Sequence, residues 1–312
     1  MNTDIKTHIL LSTYNGSKYL AEQLDSIFNQ TYQNFTLYIR DDASTDSTFS
    51  VLKSYMNEHP SYARRIIIVP NNQQHNLGYM ESFWLLLDQC GGADYYAFCD
   101  QDDVWLPNKL ETGITCLEKE DPSIPLLHFS NYNYCDEQLN YLHPAPTIRH
   151  PIRFQDVLFY TPAFGFSMLI NEQLRSLALQ TTNRTQLPHD GWIQKLAASC
   201  GKILYTNKCT ALYRRHSSAV TASNTQLLST ILYWIKHDIF GSSMKKTHFV
   251  INRFYEEYSL YLSPQDFKLL KLYTGHTSTI LIWFKRLVYP KKFRPTFGGE
   301  LALRICFFLN TY

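Results

Sequence analysis

Three carboxylates, Asp100, Asp102 and Asp103, fall within four residues directly behind the apolar run Tyr95-Tyr96-Ala97-Phe98-Cys99. A run of β-forming side chains that stops at charges reads as a buried strand whose C-terminal lip carries an acidic cluster. Carboxylates this close repel one another and are costly to bury unpaired, so the cluster calls for a compensating cation. Hard oxygen donors suit Mg²⁺ or Mn²⁺, and Mg²⁺ usually keeps waters and shares its shell with substrate phosphates. The competing reading is a solvated acidic turn. Two more polar groups end apolar runs in the same way: Thr13, Tyr14 and Asn15 behind His8–Thr13, and Asp41 and Asp42 behind Phe35–Arg40.

The elements that must position these groups alternate between strand and helix. Gly16 permits a tight turn, after which Tyr19, Leu20, Leu24, Ile27 and Phe28 follow at helical spacing. Behind Asp41 and Asp42, Ser44 or Asp46 is placed to cap a helix that buries Val51, Leu52 and Tyr55. A third strand, Ile66–Val69, closes at Pro70, and Asn76-Leu77-Gly78 opens a helix over Tyr79–Gln89 that Gly91-Gly92 stops. Four alternations predict a parallel sheet with its ligand crevice outside the carboxyl ends of the strands, which brings the three polar groups to one edge.

Further on, a helix is expected over Asn108–Lys119 and a strand over Leu126–Ser130. Residues 131–154, rich in Tyr and interrupted by Pro, read as a loop beside the site. Gly165 marks a close backbone approach at the start of a strand that Asn171 ends, and Leu187–Trp192 leads a short helix. Two strands, near Ile203–Tyr205 and at Thr210–Tyr213, deliver Arg214, Arg215 and His216, and beyond Ser223 the pattern is helical.

A chain of 312 residues with 18% charged and 15% aromatic residues is globular rather than disordered. The net charge of +2 divides unevenly: residues 1–235 carry 17 Lys and Arg against 22 Asp and Glu, and residues 236–312 carry 12 against 5. Seven cysteines without CxxC spacing point to reduced thiols in a cytoplasmic protein, not to zinc or a disulfide framework. The N-terminus does not read as a signal peptide, and no apolar stretch reaches the roughly 20 residues of a membrane span.

The segments LSTYNG (11–16), IRDDASTD (39–46), NLG (76–78), CDQDDVW (99–105), GFSMLIN (165–171), HDGW (189–192) and YRRH (213–216) occur in the order of one family. Over residues 8–216 the chain resembles the GT-A-fold glycosyltransferases of family 2, in particular the bacterial rhamnosyltransferase-like branch. The resemblance implies an α/β fold with a mostly parallel central sheet over residues 1–222, followed by a helical, basic and aromatic appendage over 223–312. It also implies roles for individual residues. Thr13, Tyr14 and Asn15 would hold the nucleotide, and Asp42, with Asp41, would accept a hydrogen bond from a pyrimidine base; Asp41 reads equally as a helix cap. Asp102 would contact Mg²⁺ or Mn²⁺, with Asp100 nearer the ribose or a metal-bound water and Gln101 among the residues that bind the donor. His216 would sit close to the metal or diphosphate, although a lone histidine is more often structural.

Asp190 matches the catalytic base and also suits an N-cap, and the two readings are compatible. Gly165, His189 and Trp192 fall on the acceptor side, Trp192 as a surface for sugar stacking; for Gly165 a packing role is the alternative. Arg214 and Arg215 either offset diphosphate charge or lie on a solvated face. Without the Gln-x-x-Arg-Trp motif and membrane helices of processive synthases, one or very few sugars would be added per acceptor.

In the tail, Leu227, Leu228, Ile231, Leu232, Ile235 and Ile239 repeat at helical spacing, and Lys285, Arg286, Lys291 and Lys292 interleave with Trp283, Phe284, Tyr289 and Phe293. Basic charge beside aromatics suits an anionic membrane surface and a polyprenyl-linked saccharide acceptor at the inner face of the cell membrane; a helical appendage packed on the catalytic domain is the alternative. No nucleic-acid module is recognisable. The expected partners are a nucleoside-diphosphate sugar and a saccharide. The rival functions are a haloacid-dehalogenase-type phosphatase using Asp100, and a non-catalytic nucleotide- or glycan-binding protein.

Overall fold

A computed structural model describes residues 4–148, 150–216, 241–275 and 279–309. The short apolar runs at the front of the chain form strands β1 (Thr7–Thr13), β2 (Phe35–Asp41), β3 (Ile66–Ile68) and β4 (Tyr95–Cys99). Between them lie α1 (Leu20–Phe28), α2 (Thr48–Glu58), the single turn α3 (Pro60–Ala63) and α4 (Tyr79–Gln89). Strands β3, β2, β1 and β4 pair in parallel in that order, with Thr13 opposite Asp41. All five side chains of β4 are buried, as a strand covered on both faces requires. Helix α2 starts at Thr48, whose N–H donates to Asp46 Oδ1 at 2.9 Å. Asp46 therefore serves its first turn, and Ser44 bonds elsewhere.

The sheet continues as β8 (Met168–Asn171), β6 (Leu126–Cys135), β9 (Lys202–Arg214) and the short β5 (Val104–Trp105), with β7 (Tyr141–Pro144) on β6. Here the pairing is mixed: β8 is antiparallel to β4 and β6, and β9 is parallel to β6. Helices α5 (Lys109–Leu117), α7 (Glu172–Leu179) and α8 (His189–Cys200) complete this part, with α6 (Phe154–Leu158) between them in sequence.

Two expectations are corrected. Residues 131–154 are not one loop, because the Asn/Tyr alternation carries β6 on to Cys135 and a turn at Asp136–Asn140 returns the chain as β7. The two strands expected between Ile203 and Tyr213 are one, since register shifts opposite Ser130–Tyr132 absorb the polar residues Asn207 and Lys208.

The chain divides into one compact unit of Met1–Pro151, Ala163–Ala197 and Gly201–His216, and a second of Ile152–Pro162, Ala198–Cys200 and Ser217–Tyr312. The second contains α6, α9 (Ser243–Tyr258), α10 (Pro264–Leu272), α11 (Ile280–Leu287) and α12 (Phe297–Phe308). Its core gathers Phe159 against Tyr273, Phe293 and Phe307 at ring separations of 4.9–5.3 Å. The helical repeat from Leu227 to Ile239 lies outside the described residues. Among the described residues no helix is long and apolar enough to cross a membrane.

Candidate active site

The ends of β1 and β2 are stitched into one body. Thr13 Oγ1 donates to Asp41 Oδ1 at 3.0 Å, and the Ser44 N–H donates to Asp41 Oδ2 at 3.0 Å. Asn15 occupies the left-handed region (φ 49°), which a short polar side chain tolerates. Its Oδ1 accepts the N–H of Thr45 at 2.8 Å, and its own N–H donates to Ser44 Oγ at 2.9 Å. The acidic lip joins the same body through Gln101, whose amide accepts the Tyr14 N–H at 2.8 Å and donates to the Tyr14 carbonyl at 2.9 Å. Gly16 leaves room for the Gln101 amide and has no positive φ: a Cβ there would stand 2.0 Å from Gln101 Oε1. Thr13, Tyr14, Asn15, Asp41 and Gln101 are thus brought together by direct bonds.

Asp42 is not at the crevice. It is buried, paired to the fully buried Arg40 at 2.5 Å, and accepts the N–H groups of Leu77 at 3.0 Å and Gly78 at 2.7 Å. Both carboxylate oxygens are occupied inside the protein, which leaves Asp41 as the partly exposed acceptor of the pair. Arg40 also reaches Asn71 Oδ1 at 3.2 Å, so the Arg40–Asp42 pair holds the loop 71–78 at both ends.

The three acids of the lip have separate fates. Asp103 is buried, with Oδ1 accepting the Arg214 N–H at 3.1 Å, and burial followed by the charges of Asp102 and Asp100 raises it well above the usual carboxylate range. Asp100 is pushed up to about 8 by burial, then by Asp102 and Asp190. Asp102 stays partly exposed, with Oδ2 2.9 Å from His216 Nε2. The His216 ring lies against Tyr19, their centroids 4.9 Å apart.

Asp190 sits in the first turn of α8, where its Oδ1 accepts the Gly191 N–H at 2.7 Å. It belongs to the same neighbourhood: Tyr79 is held above the usual phenol range by burial, then by the charges of Asp190 and Asp100. Tyr79, 46% exposed, is a site residue that sequence reasoning passed over; its position at the start of the helix opened by Asn76-Leu77-Gly78 was the available signal. Lys195, also overlooked, is buried one turn along α8, with Nζ 3.4 Å from the Gly191 carbonyl. Burial pulls its amine down to about 8 against the opposing charge of Asp190.

Among the described residues no three His, Cys, Asp or Glu side chains form a cation site. The adjacent Asp102 and His216 are the two side chains here that could hold a divalent cation, an oxygen and a nitrogen donor 2.9 Å apart.

On the acceptor side, a Cβ at Gly165 would stand 2.7 Å from His189 Nε2, so the glycine makes room for that ring. His189 is buried against Phe83 and Phe98 at 4.3 and 5.1 Å, and burial lowers its pKa. Trp192 is wholly buried, its indole N–H donating to Thr181 Oγ1 at 2.8 Å. On the inner face of α8 it offers no surface to a sugar, contrary to the stacking role expected for it.

Arg214 does not lie on a solvated face. It is buried; Nε donates to the Asp102 carbonyl at 2.8 Å, one terminal nitrogen donates to the Glu137 carbonyl at 2.5 Å, and the other pairs with Glu22. It ties the acidic lip to the β6–β7 hairpin and α1. Arg214→Ala would leave buried carbonyls unpaired and should destabilise the protein by about 2–4 kcal/mol. A thermal melt within a degree of the wild type would refute this. Arg215 extends over the rings of Tyr134 and Tyr213 at 5.8 and 5.6 Å.

The family model described as glycosyl transferase family 2 matches residues 8–174, more than half of the chain. The chain belongs to that family. The match takes in both stitched loops and the acidic lip, and ends before Asp190 and His216. The dTDP-rhamnosyl transferase RfbG of Shigella flexneri is 26% identical over 228 residues, covering 69% of this chain and 74% of that one. An uncharacterized glycosyltransferase of Haemophilus influenzae is 35% identical over 113 residues; this stretch is 36% of the chain and spans only 33% of that relative. S. aureus TarS in complex with UDP-GlcNAc matches in fold at a TM-score of 0.57 and 12% identity, over 99% of this chain and 93% of that one. The mannosyltransferase PcManGT of Pyrobaculum calidifontis, in complex with GDP-Man and Mn²⁺, matches at 0.50 and 17%, over 98% and 86%. This family 2 chain therefore has the GT-A-like α/β fold, and the phosphatase reading is set aside.

Proposed function

We propose that this family 2 chain is an inverting, metal-dependent glycosyltransferase. It moves one sugar from a nucleoside-diphosphate donor to a saccharide acceptor, lipid-linked, in surface polysaccharide synthesis at the inner face of the cell membrane. The observation that carries the reading is the Asp102–His216 pair, beside loops stitched together by Asn15, Asp41 and Gln101 and next to Asp100, which feels the charges of both Asp102 and Asp190.

In this reading Asp41, Thr13, Tyr14 and Asn15 receive the nucleotide. Asp102 and His216 would hold Mg²⁺ or Mn²⁺, which when bound supplies positive charge to the departing diphosphate. Asp190 takes the proton of the acceptor hydroxyl as that oxygen bonds to the anomeric carbon; the bond to the diphosphate breaks on the opposite face, and the configuration inverts. The Gly191 N–H holds Asp190 Oδ1, which leaves Oδ2 to receive the proton. Support for the donor class comes from relatives and neighbours bearing the names of dTDP-rhamnosyl transfer, UDP-GlcNAc and GDP-Man.

A thermal-shift and hydrolysis panel of nucleotide sugars, dTDP-rhamnose and UDP-sugars among them, with and without Mn²⁺ tests the reading. One donor should stabilise the protein and release its nucleoside diphosphate only with the metal present. No shift and no release with any donor would overturn it.

A further inference from the structure

Helices α11 and α12 both carry apolar side chains on the face turned to solvent. On α11 and just past its end, Ile280 is 85% exposed, Leu281 61%, Phe284 52% and Val288 52%. On α12, Phe297 is 76% exposed, Leu301 50% and Phe308 58%, at intervals that place them on one side of the helix. These side chains are surplus to the core, because the opposite side of α12 already supplies Leu303, Cys306 and Phe307 to it. The two helices touch: Trp283 Nε1 donates to the Phe308 carbonyl at 3.1 Å and their rings lie 5.7 Å apart. An exposed apolar face on adjoining helices marks an interaction surface.

The charge around this face selects its partner. Residues 279–309 contain one acid, Glu300, and it is buried, accepting from Arg304 and from the N–H groups of Phe293 and Arg294. Arg286 is also buried, on the carbonyls of Leu272 and Thr274. The fully exposed charges are those of Lys285, Lys291 and Lys292, all positive. A second copy of the chain would bring the same three cations and no exposed acid from this segment to meet them. Phe293 is in the core, so the contact does not run through every aromatic that the sequence interleaves with lysine.

We propose that the α11–α12 face docks on an anionic lipid bilayer. Ile280, Phe284, Phe297 and Leu301 enter the boundary between headgroups and acyl chains, and Lys285, Lys291 and Lys292 meet the lipid phosphates. The proposal deepens the reading of a lipid-linked acceptor by naming the surface that would bring the enzyme to it.

The test is co-sedimentation of the full chain with vesicles of phosphatidylcholine alone or with phosphatidylglycerol added. Binding should require phosphatidylglycerol and weaken with salt. It should fall at least about tenfold in Phe284→Ser/Phe297→Ser and in Lys291→Glu/Lys292→Glu, with melting temperatures unchanged. Equal sedimentation of wild type and both variants, or none by wild type, overturns the proposal. So does a wild-type dimer in analytical ultracentrifugation that the Phe pair abolishes without any vesicle binding. Donor hydrolysis without vesicles should be the same in all three proteins, so its absence throughout would count against the transferase reading and leave the vesicle result standing.

Discussion

Asp190→Asn should bind the nucleotide-sugar donor as tightly as the wild type and lose roughly 10²–10⁴-fold in transfer rate, the usual contribution of a positioned general base. The substitution isolates the chemistry, because an amide oxygen still accepts the Gly191 N–H that Asp190 Oδ1 accepts now, so the start of α8 is preserved. What is lost is the capacity to take the acceptor's proton. Donor affinity by calorimetry and turnover by single-time-point product analysis separate the two. Turnover near that of the wild type would remove Asp190 as the base, and a parallel loss of donor affinity would recast it as a binding residue. A protein that only binds nucleotide or glycan would be indifferent to the change.

The second large effect is expected at Asp102. Asp102→Asn should abolish the Mn²⁺ dependence of donor binding, exceeding the roughly 10–100-fold loss that follows removal of a group merely supporting a metal ligand. The position of the residue survives the change, since its carbonyl remains fixed by Arg214 Nε. His216→Ala should produce a smaller loss in the same direction, because one donor of the adjacent pair remains. Calorimetric titration of the donor with and without Mn²⁺ decides the matter; affinity that still responds to the metal in Asp102→Asn would eliminate it as a ligand.

Much of this arrangement was legible in the residues. Apolar runs of strand length ending at Thr13, Asp41 and Cys99, each followed by a helical or polar segment, are enough to fix the parallel half of the sheet and the edge where its polar groups collect. The less legible parts depend on distant contacts. Asp41 and Asp42 are alike in sequence, and their roles separate only because Arg40 and the Leu77 and Gly78 N–H groups occupy Asp42. Trp192 looks like a sugar platform beside Asp190 until Thr181 takes its indole N–H inside the core. Arg214 reads as a diphosphate partner or as a solvated surface charge because nothing local reveals that the Asp102 and Glu137 carbonyls, far apart in sequence, converge on it. The β6–β7 hairpin was hidden because polar Asn residues interrupt the hydrophobic signal while keeping its period of two.

The Gln101 amide grips Tyr14 at both of its peptide groups, so the segment expected to carry the cation and the segment expected to carry the nucleotide cannot change position separately. In the proposed function Mn²⁺ and nucleotide each meet one part of this bracket, which couples their binding. Thermodynamic reciprocity then requires that Mn²⁺ strengthen nucleotide binding by the same factor as nucleotide strengthens Mn²⁺ binding.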